Sequence, residues 1–203
     1  MLASHPWNEA EKHLISSDPV MSQLIDRYGP CRLEPNDGFF AILCNSIVSQ
    51  QLATKAAAAI YARFAAYYAG DVSPARVAES PAEDLRALGL SNQKVAYVRD
   101  LAAKTLAGDL TPERFPAMPD EDIVKQLVTV KGIGVWTAQM FLIFALNRPD
   151  VLPTDDFGVR KAFMTLYRLD AMPGKEVMET IARPWRPWRS IASWYLWRSL
   201  ENK

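Results

Sequence analysis

Leu127-Val128-Thr129-Val130-Lys131-Gly132-Ile133-Gly134-Val135-Trp136-Thr137-Ala138 is the stretch that decides the fold. Ahead of it, Asp120 to Leu127 have helix-compatible spacing; Gly132 and Gly134 interrupt, and Val135 to Leu146 resume the helical pattern. Two glycines in three residues mark a turn. Glycine reaches positive φ at no steric cost and carries no Cβ to hold another group away, so Lys131-Gly132-Ile133-Gly134 can bring N–H groups against an anion. The helix that follows aims its N-terminal N–H groups and positive dipole end at the same place. Ile133, apolar between the glycines, plugs the turn into the core. No strand precedes the pair and no third glycine stands at dinucleotide-binding spacing, which argues against a Rossmann turn.

Working outward, nearly every segment reads as helix. Phe39 to Val48 is an apolar run, and Thr54 to Ala69 is alanine-rich with Ile60, Phe64 and Tyr67/Tyr68 at three- and four-residue spacing. Ser80-Pro81-Ala82-Glu83 reads as a capping box opening a helix over 84–88, and Ser91 as the cap of a helix whose face is Val95, Val98, Leu101 and Ala102. Pro112, Pro116 and Pro119 read as a linker, one helix is expected near Val20 to Arg27, and a tryptophan-rich helix closes the chain from Pro187 to Leu200. No alternating strand pattern of useful length and no internal repeat is visible. The class is all-α.

The chain has 203 residues, 49% hydrophobic and 23% charged, enough for one domain or two small ones with a real core. Cys31 and Cys44 lack metal spacing and read as buried thiols in a reducing compartment. Met1 to Ala10 does not look like a signal sequence, and no apolar run reaches the ~18 residues that cross a membrane, so the expected location is cytosolic. The net charge of zero conceals an asymmetry: residues 1–126 carry 12 basic and 16 acidic side chains, residues 127–203 carry 11 and 7. Polyanion binding follows the local field, so a modestly basic half is compatible with salt-sensitive nucleic-acid affinity.

The hairpin segment, with Met140-Phe141-Leu142-Ile143-Phe144, Arg148-Pro149-Asp150-Val151-Leu152-Pro153 and Asp155-Asp156-Phe157-Gly158-Val159-Arg160-Lys161, resembles the helix-hairpin-helix superfamily of base-excision DNA glycosylases. Within it the chain is most similar to the 3-methyladenine DNA glycosylase II branch, in a compact form without the additional N-terminal α+β domain. The resemblance covers the chain from about residue 35 onward. It implies two helical subdomains flanking a cleft, with an N-terminal segment (1–34) packing on the core, a helical subdomain carrying a wedge loop (35–112), and a helix-hairpin-helix subdomain (113–203).

It also implies roles. Asp156, placed by sequence at a helix N-cap, aligns with the family's catalytic aspartate, and Asp155 becomes a neighbouring structural acid. A carboxylate there stabilises the positive charge that builds on the sugar as a purine N-glycosidic bond breaks. Members that also nick the backbone carry a lysine nucleophile two residues after the second hairpin glycine; this chain has Trp136 there, so a monofunctional enzyme is expected. Two cysteines exclude the iron–sulfur branch.

Trp136, Met140, Phe157 and Trp197 are expected to line a pocket for a flipped cationic base. Gln51 and Leu52, in Ser49-Gln50-Gln51-Leu52, are the wedge candidates. Lys131, Gly132, Ile133, Gly134 and Thr137 would contact DNA, and the carbonyls of Val128, Val130 and Ile133 could hold a sodium- or potassium-like ion. No other cofactor is implied. The expected partner is double-stranded DNA with alkylated bases, bound by a monomer. Two alternatives stand beside this reading: the same fold acting on deaminated, oxidised or mismatched bases, and a non-catalytic DNA-binding module that keeps the hairpin. His5 and His13 receive no role.

Overall fold

The computed structural model describes residues 6–201, among which there is no strand. The helices are α1 (Asn8–Ser17), α2 (Pro19–Tyr28), α3 (Phe39–Ser49), α4 (Thr54–Tyr67), α5 (Pro74–Glu79), α6 (Ala82–Ala87), α7 (Asn92–Ala107), α8 (Asp120–Leu127), α9 (Val135–Phe144), α10 (Phe157–Leu166), α11 (Lys175–Ala182) and α12 (Arg189–Arg198). Short 3-10 segments occupy Pro112–Ala117 and Arg183–Trp185. The all-α expectation holds. No helix of the described residues is long and apolar enough to cross a membrane.

The chain divides into two compact units, one formed by residues 1–35 together with 142–203, the other by Asn36–Phe141. The boundary expected at 112–113 is therefore not a boundary. Phe115, between Pro112 and Pro116, is fully buried and meets the Phe141 ring edge-on at 5.6 Å, so the segment read as a linker is anchored in the core by this ring. In this unit α3 packs on α4 and α7, and α7 on α5 and α6. The α7 face named from sequence, Val95, Val98, Leu101 and Ala102, is buried. Ser91 does cap this helix, accepting from the Lys94 N–H at 3.3 Å. The capping box at Ser80 does not form. Ser80 is buried, donates to the Arg76 carbonyl at 2.7 Å and shares a hydrogen bond with the Tyr68 hydroxyl, and α6 starts after Pro81 with no side-chain cap.

The other unit joins both ends of the chain. Where one N-terminal helix was expected there are two, broken at Asp18, which accepts from the N–H groups of Val20 (2.7 Å) and Met21 (3.3 Å) while Pro19 fits the first helical position. The other oxygen of this buried carboxylate accepts from the Tyr167 hydroxyl (2.7 Å) and the Trp185 indole (2.9 Å). Glu11, also buried, accepts from the Cys31 N–H and the Tyr195 hydroxyl, each at 2.7 Å. Burial, the carboxylate bond and the carboxylate charge all push the Tyr167 and Tyr195 hydroxyls far above the usual range, so both stay neutral donors. Trp185 lies in the 3-10 segment before α12, fully buried and stacked on Phe163 at 5.3 Å. His13 Nε2 lies 2.8 Å from the Pro184 carbonyl in an exposed position; His5 falls outside the described residues.

Two outcomes follow. Asp18→Ala removes a cap and strands two buried donors, and should lower the unfolding free energy by about 4 kcal/mol in denaturant titration. Burial pushes the Cys31 thiol up to about 12 and the Cys44 thiol higher still. Neither should react with an alkylating reagent at neutral pH until the chain is unfolded.

Candidate functional site

In the Asn36–Phe141 unit, the end of α8 tightens into the hairpin turn: Val128 N–H donates to the Val124 carbonyl, Thr129 to Gln126 and Val130 to Leu127. Gly132 then takes φ +82° directly against the Tyr97 ring, which any Cβ there would strike. Gly134 does not use positive φ. What it supplies is open space where a Cβ would stand, allowing a close approach from outside. Ile133 is buried, as expected of a plug, and its N–H donates to the Val130 carbonyl at 3.1 Å.

The turn's expected array of donors is narrower than the sequence implied. The Lys131 N–H donates to Asp100 Oδ2 at 2.9 Å, and the Ile133 N–H is committed inside the turn. The two glycines and the opening of α9, whose first intrahelical bond runs from the Ala138 N–H to the Gly134 carbonyl, are where an anion would be met. The exposed Lys131 ammonium lies 4.0 Å from Asp100 Oδ1, a loose pair worth little in solvent.

Between α3 and α4 the backbone departs from ordinary conformations at Gln51, φ +56°, a left-handed residue that is not glycine. Such a position costs about 1–2 kcal/mol and persists only when its neighbours over-determine it. The neighbours do so: Gln50 Nε2 donates to the Gly132 carbonyl at 2.8 Å, and Lys94 Nζ donates to the carbonyls of Val48 (2.6 Å) and Gln50 (2.8 Å). Gln51 and Leu52 are exposed beyond this anchorage. Together with Ser46, Ser49, Gln50, Trp136, Thr137 and Met140 they line a cavity of about 520 Å³. Trp136 is 44% exposed at its wall. Thr137 is buried, so the side chain expected on the DNA-facing surface belongs to the cavity lining, and only its backbone N–H lies among the opening amides of α9.

The carboxylate lies in the other unit. Loop 149–151 is fastened to the start of α12: Asp150 takes Arg189 through Nε (2.6 Å) and Nη2 (3.0 Å), the Ser190 hydroxyl accepts from the Val151 N–H (2.9 Å), and the Ser190 N–H donates to the Pro149 carbonyl (2.9 Å). Val151 to Thr154 are buried, and a turn from Pro153 to Asp156 delivers Asp156 to the N-cap of α10. Its Oδ1 accepts from the Val159 N–H at 2.8 Å and from the Trp197 indole at 2.9 Å. Two fixed donors on one oxygen set the plane of the carboxylate. Gly158 keeps the space these groups need, since a Cβ there would lie 3.1 Å from Asp156 Oδ1 and 3.2 Å from Trp197 Cδ1. Asp155 is exposed, and Phe157 is 69% exposed beside the carboxylate.

The structure thus groups Gln51, Leu52, Trp136, Thr137 and Met140 in one unit and Asp156, Phe157 and Trp197 in the other. It adds residues that sequence did not single out. Ser46 lies one helical turn before Ser49, a spacing that was readable. Phe144, 5.3 Å from the Trp197 ring, could have been drawn from its exposed place on α9. Lys94 and Gly158 carried no local signal.

Residues 44–187 match the family described as HhH-GPD superfamily base excision DNA repair protein. A Schizosaccharomyces pombe protein named DNA-3-methyladenine glycosylase 1 is 34% identical, over 94% of this chain and 86% of its own. The solved structure of S. pombe 3-methyladenine DNA glycosylase in complex with abasic DNA superposes with TM-score 0.85 at 32% identity, covering 95% of this chain and 96% of that one. That of a Bacillus halodurans DNA-3-methyladenine glycosidase gives 0.84 at 32% identity, over 98% and 91%. The hairpin turn, the capped aspartate and these likenesses agree: the chain belongs to the HhH-GPD superfamily of base excision DNA repair proteins.

Proposed function

We infer that this protein is a monofunctional DNA glycosylase that hydrolyses the N-glycosidic bond of alkylated purines, of the 3-methyladenine and 7-methylguanine type, in double-stranded DNA. The observation that carries the reading is the Asp156 carboxylate, oriented by Val159 and Trp197 at the mouth of a helix. As the bond to the base breaks, its electron pair leaves with the purine and positive charge builds on the sugar. A carboxylate already held in place stabilises that charge without reorganising. Water then adds to C1′ and loses a proton, leaving free base and an abasic sugar. A purine alkylated at N3 or N7 is cationic before reaction and departs without strong acid assistance. The relatives named as 3-methyladenine glycosylases support this substrate class.

Trp136 and Met140 in one unit, and Phe157 and Trp197 in the other, are each polarizable surface of the kind a cationic base favours. The amides of Gly132 and Gly134 and the start of α9 grip a phosphate, with Lys131 beside them, while Gln51 and Leu52 fill the space a displaced nucleotide leaves. The carbonyls of Val128, Val130 and Ile133 would be the groups to hold a sodium- or potassium-like ion, which when bound would add positive charge beside the phosphate. Trp136 offers no amine for an imine with the sugar, so the strand is left intact. One copy of the chain acts on the duplex.

Release of 3-methyladenine and 7-methylguanine from methylated duplex tests the reading. Wild type should release both, with strand breaks appearing only after alkali; Asp156→Asn should lose release by about 100- to 1000-fold while binding duplex as before. Intact release in that variant would remove Asp156 from the chemistry, and release of other lesions instead would favour the different-substrate reading. Gln51→Gly relieves the left-handed strain and should leave the melting temperature unchanged or higher, yet slow base release about tenfold because the wedge side chain is gone.

A further inference from the structure

Flanking its buried face, α7 carries the part-buried Lys94, Tyr97 and Asp100 in steps of three, and each touches one of two separate loops. Lys94 holds the carbonyls of Val48 and Gln50 at the end of α3. Tyr97, steadied by a hydrogen bond from Gln93, supports Gly132, and Asp100 accepts the Lys131 N–H. A fourth link joins the loops directly, from Gln50 Nε2 to the Gly132 carbonyl at 2.8 Å.

The end of α3 needs this help. Its last turn contains no basic residue to offset the negative end of the helix, and the Gln50 N–H covers just the Ile47 carbonyl, at 3.3 Å. Lys94 supplies that cation from a neighbouring helix, and it does so one residue before the strained Gln51. Partial burial lowers the Lys94 pKa, a desolvation cost that the two charge-assisted bonds offset.

We propose that α7 is a splint that fixes the wedge loop to the phosphate-gripping hairpin, with Lys94 as the positioning residue that keeps Gln51 poised for nucleotide extrusion. Lys94 acts through the carbonyls of Val48 and Gln50, so its loss frees the loop while the hairpin keeps its own hold on phosphate. The proposal rests on the glycosylase reading above for its second half only; the splint itself is a property of the protein without DNA.

The test uses the full chain with Lys94→Met, Lys94→Arg and, as a control for loss of stability in the same helix, Val98→Ala. In the free protein, amide hydrogen exchange at Gln50 to Leu52 should quicken about tenfold in Lys94→Met and remain near wild type in Val98→Ala. With saturating duplex carrying 2-aminopurine beside an abasic-site analogue, Lys94→Met should show a reduced fluorescence plateau. Its single-turnover release of 7-methylguanine should fall about tenfold, while affinity for undamaged duplex stays within about twofold. Lys94→Arg should restore both.

A wild-type plateau and rate in Lys94→Met would overturn the proposal, as would an equal loss in Val98→Ala. If wild type neither extrudes nor excises while exchange still separates Lys94→Met from the others, the glycosylase reading falls and the splint stands.

Discussion

A helix cannot satisfy its own ends. The first N–H groups and last carbonyls of every α-helix lack intrahelical partners, and a protein made almost wholly of short helices meets this constraint at every bend. Here the solutions to that constraint are the functional features. The N-terminus of α10 is closed by Asp156, which is thereby oriented; the N-terminus of α9 opens directly behind the hairpin glycines; the C-terminus of α3 is met by a lysine from α7, which ties the loop beyond it. A cap normally contributes about 1 kcal/mol to stability. In this fold caps also determine where charge and side chains point.

That dual use explains which parts were legible from sequence. The hairpin was, because Gly132, Ile133 and Gly134 announce their backbone requirements locally, and Asp156 was, because an acid before an apolar helical pattern reads as an N-cap and here acts as one. Features satisfied at long range were not. Ser80-Pro81-Ala82-Glu83 has every residue of a capping box, yet the Ser80 hydroxyl is taken by Tyr68 and Arg76, and a local pattern cannot reveal a competing tertiary partner. The prolines around Phe115 read as a linker because their backbone preference is visible and the burial of the ring between them is not. The partner of Asp156, Trp197, lies 41 residues further on; family likeness placed it near the site, but only coordinates show its indole on the carboxylate oxygen.

Rigidity and openness divide along the same lines. The backbone of the hairpin and wedge loop is tied by bonds from Gln50, Lys94 and Asp100, while the surfaces offered outward, Leu52, Trp136 and Phe157, are large, apolar and exposed. Exposed rings on a fixed backbone suit contacts with stacked bases, since little conformational freedom remains to be lost on binding.

The unit that carries Asp156 is discontinuous in the chain: α1 and α2 are made before Asn36–Phe141 and α12 after it. Glu11 and Asp18 have as partners Tyr195, Tyr167 and Trp185, all of which leave the ribosome after that intervening unit. The intervening unit is continuous in sequence, so its internal contacts can begin to form while the chain is still growing. The first two helices must wait, their carboxylates solvated, until the long loop between them and α12 has closed, which makes their docking the high-contact-order step of folding. An unfinished chain thus has the residues of the hairpin turn and the Gln51 loop together before it can complete the unit that carries Asp156.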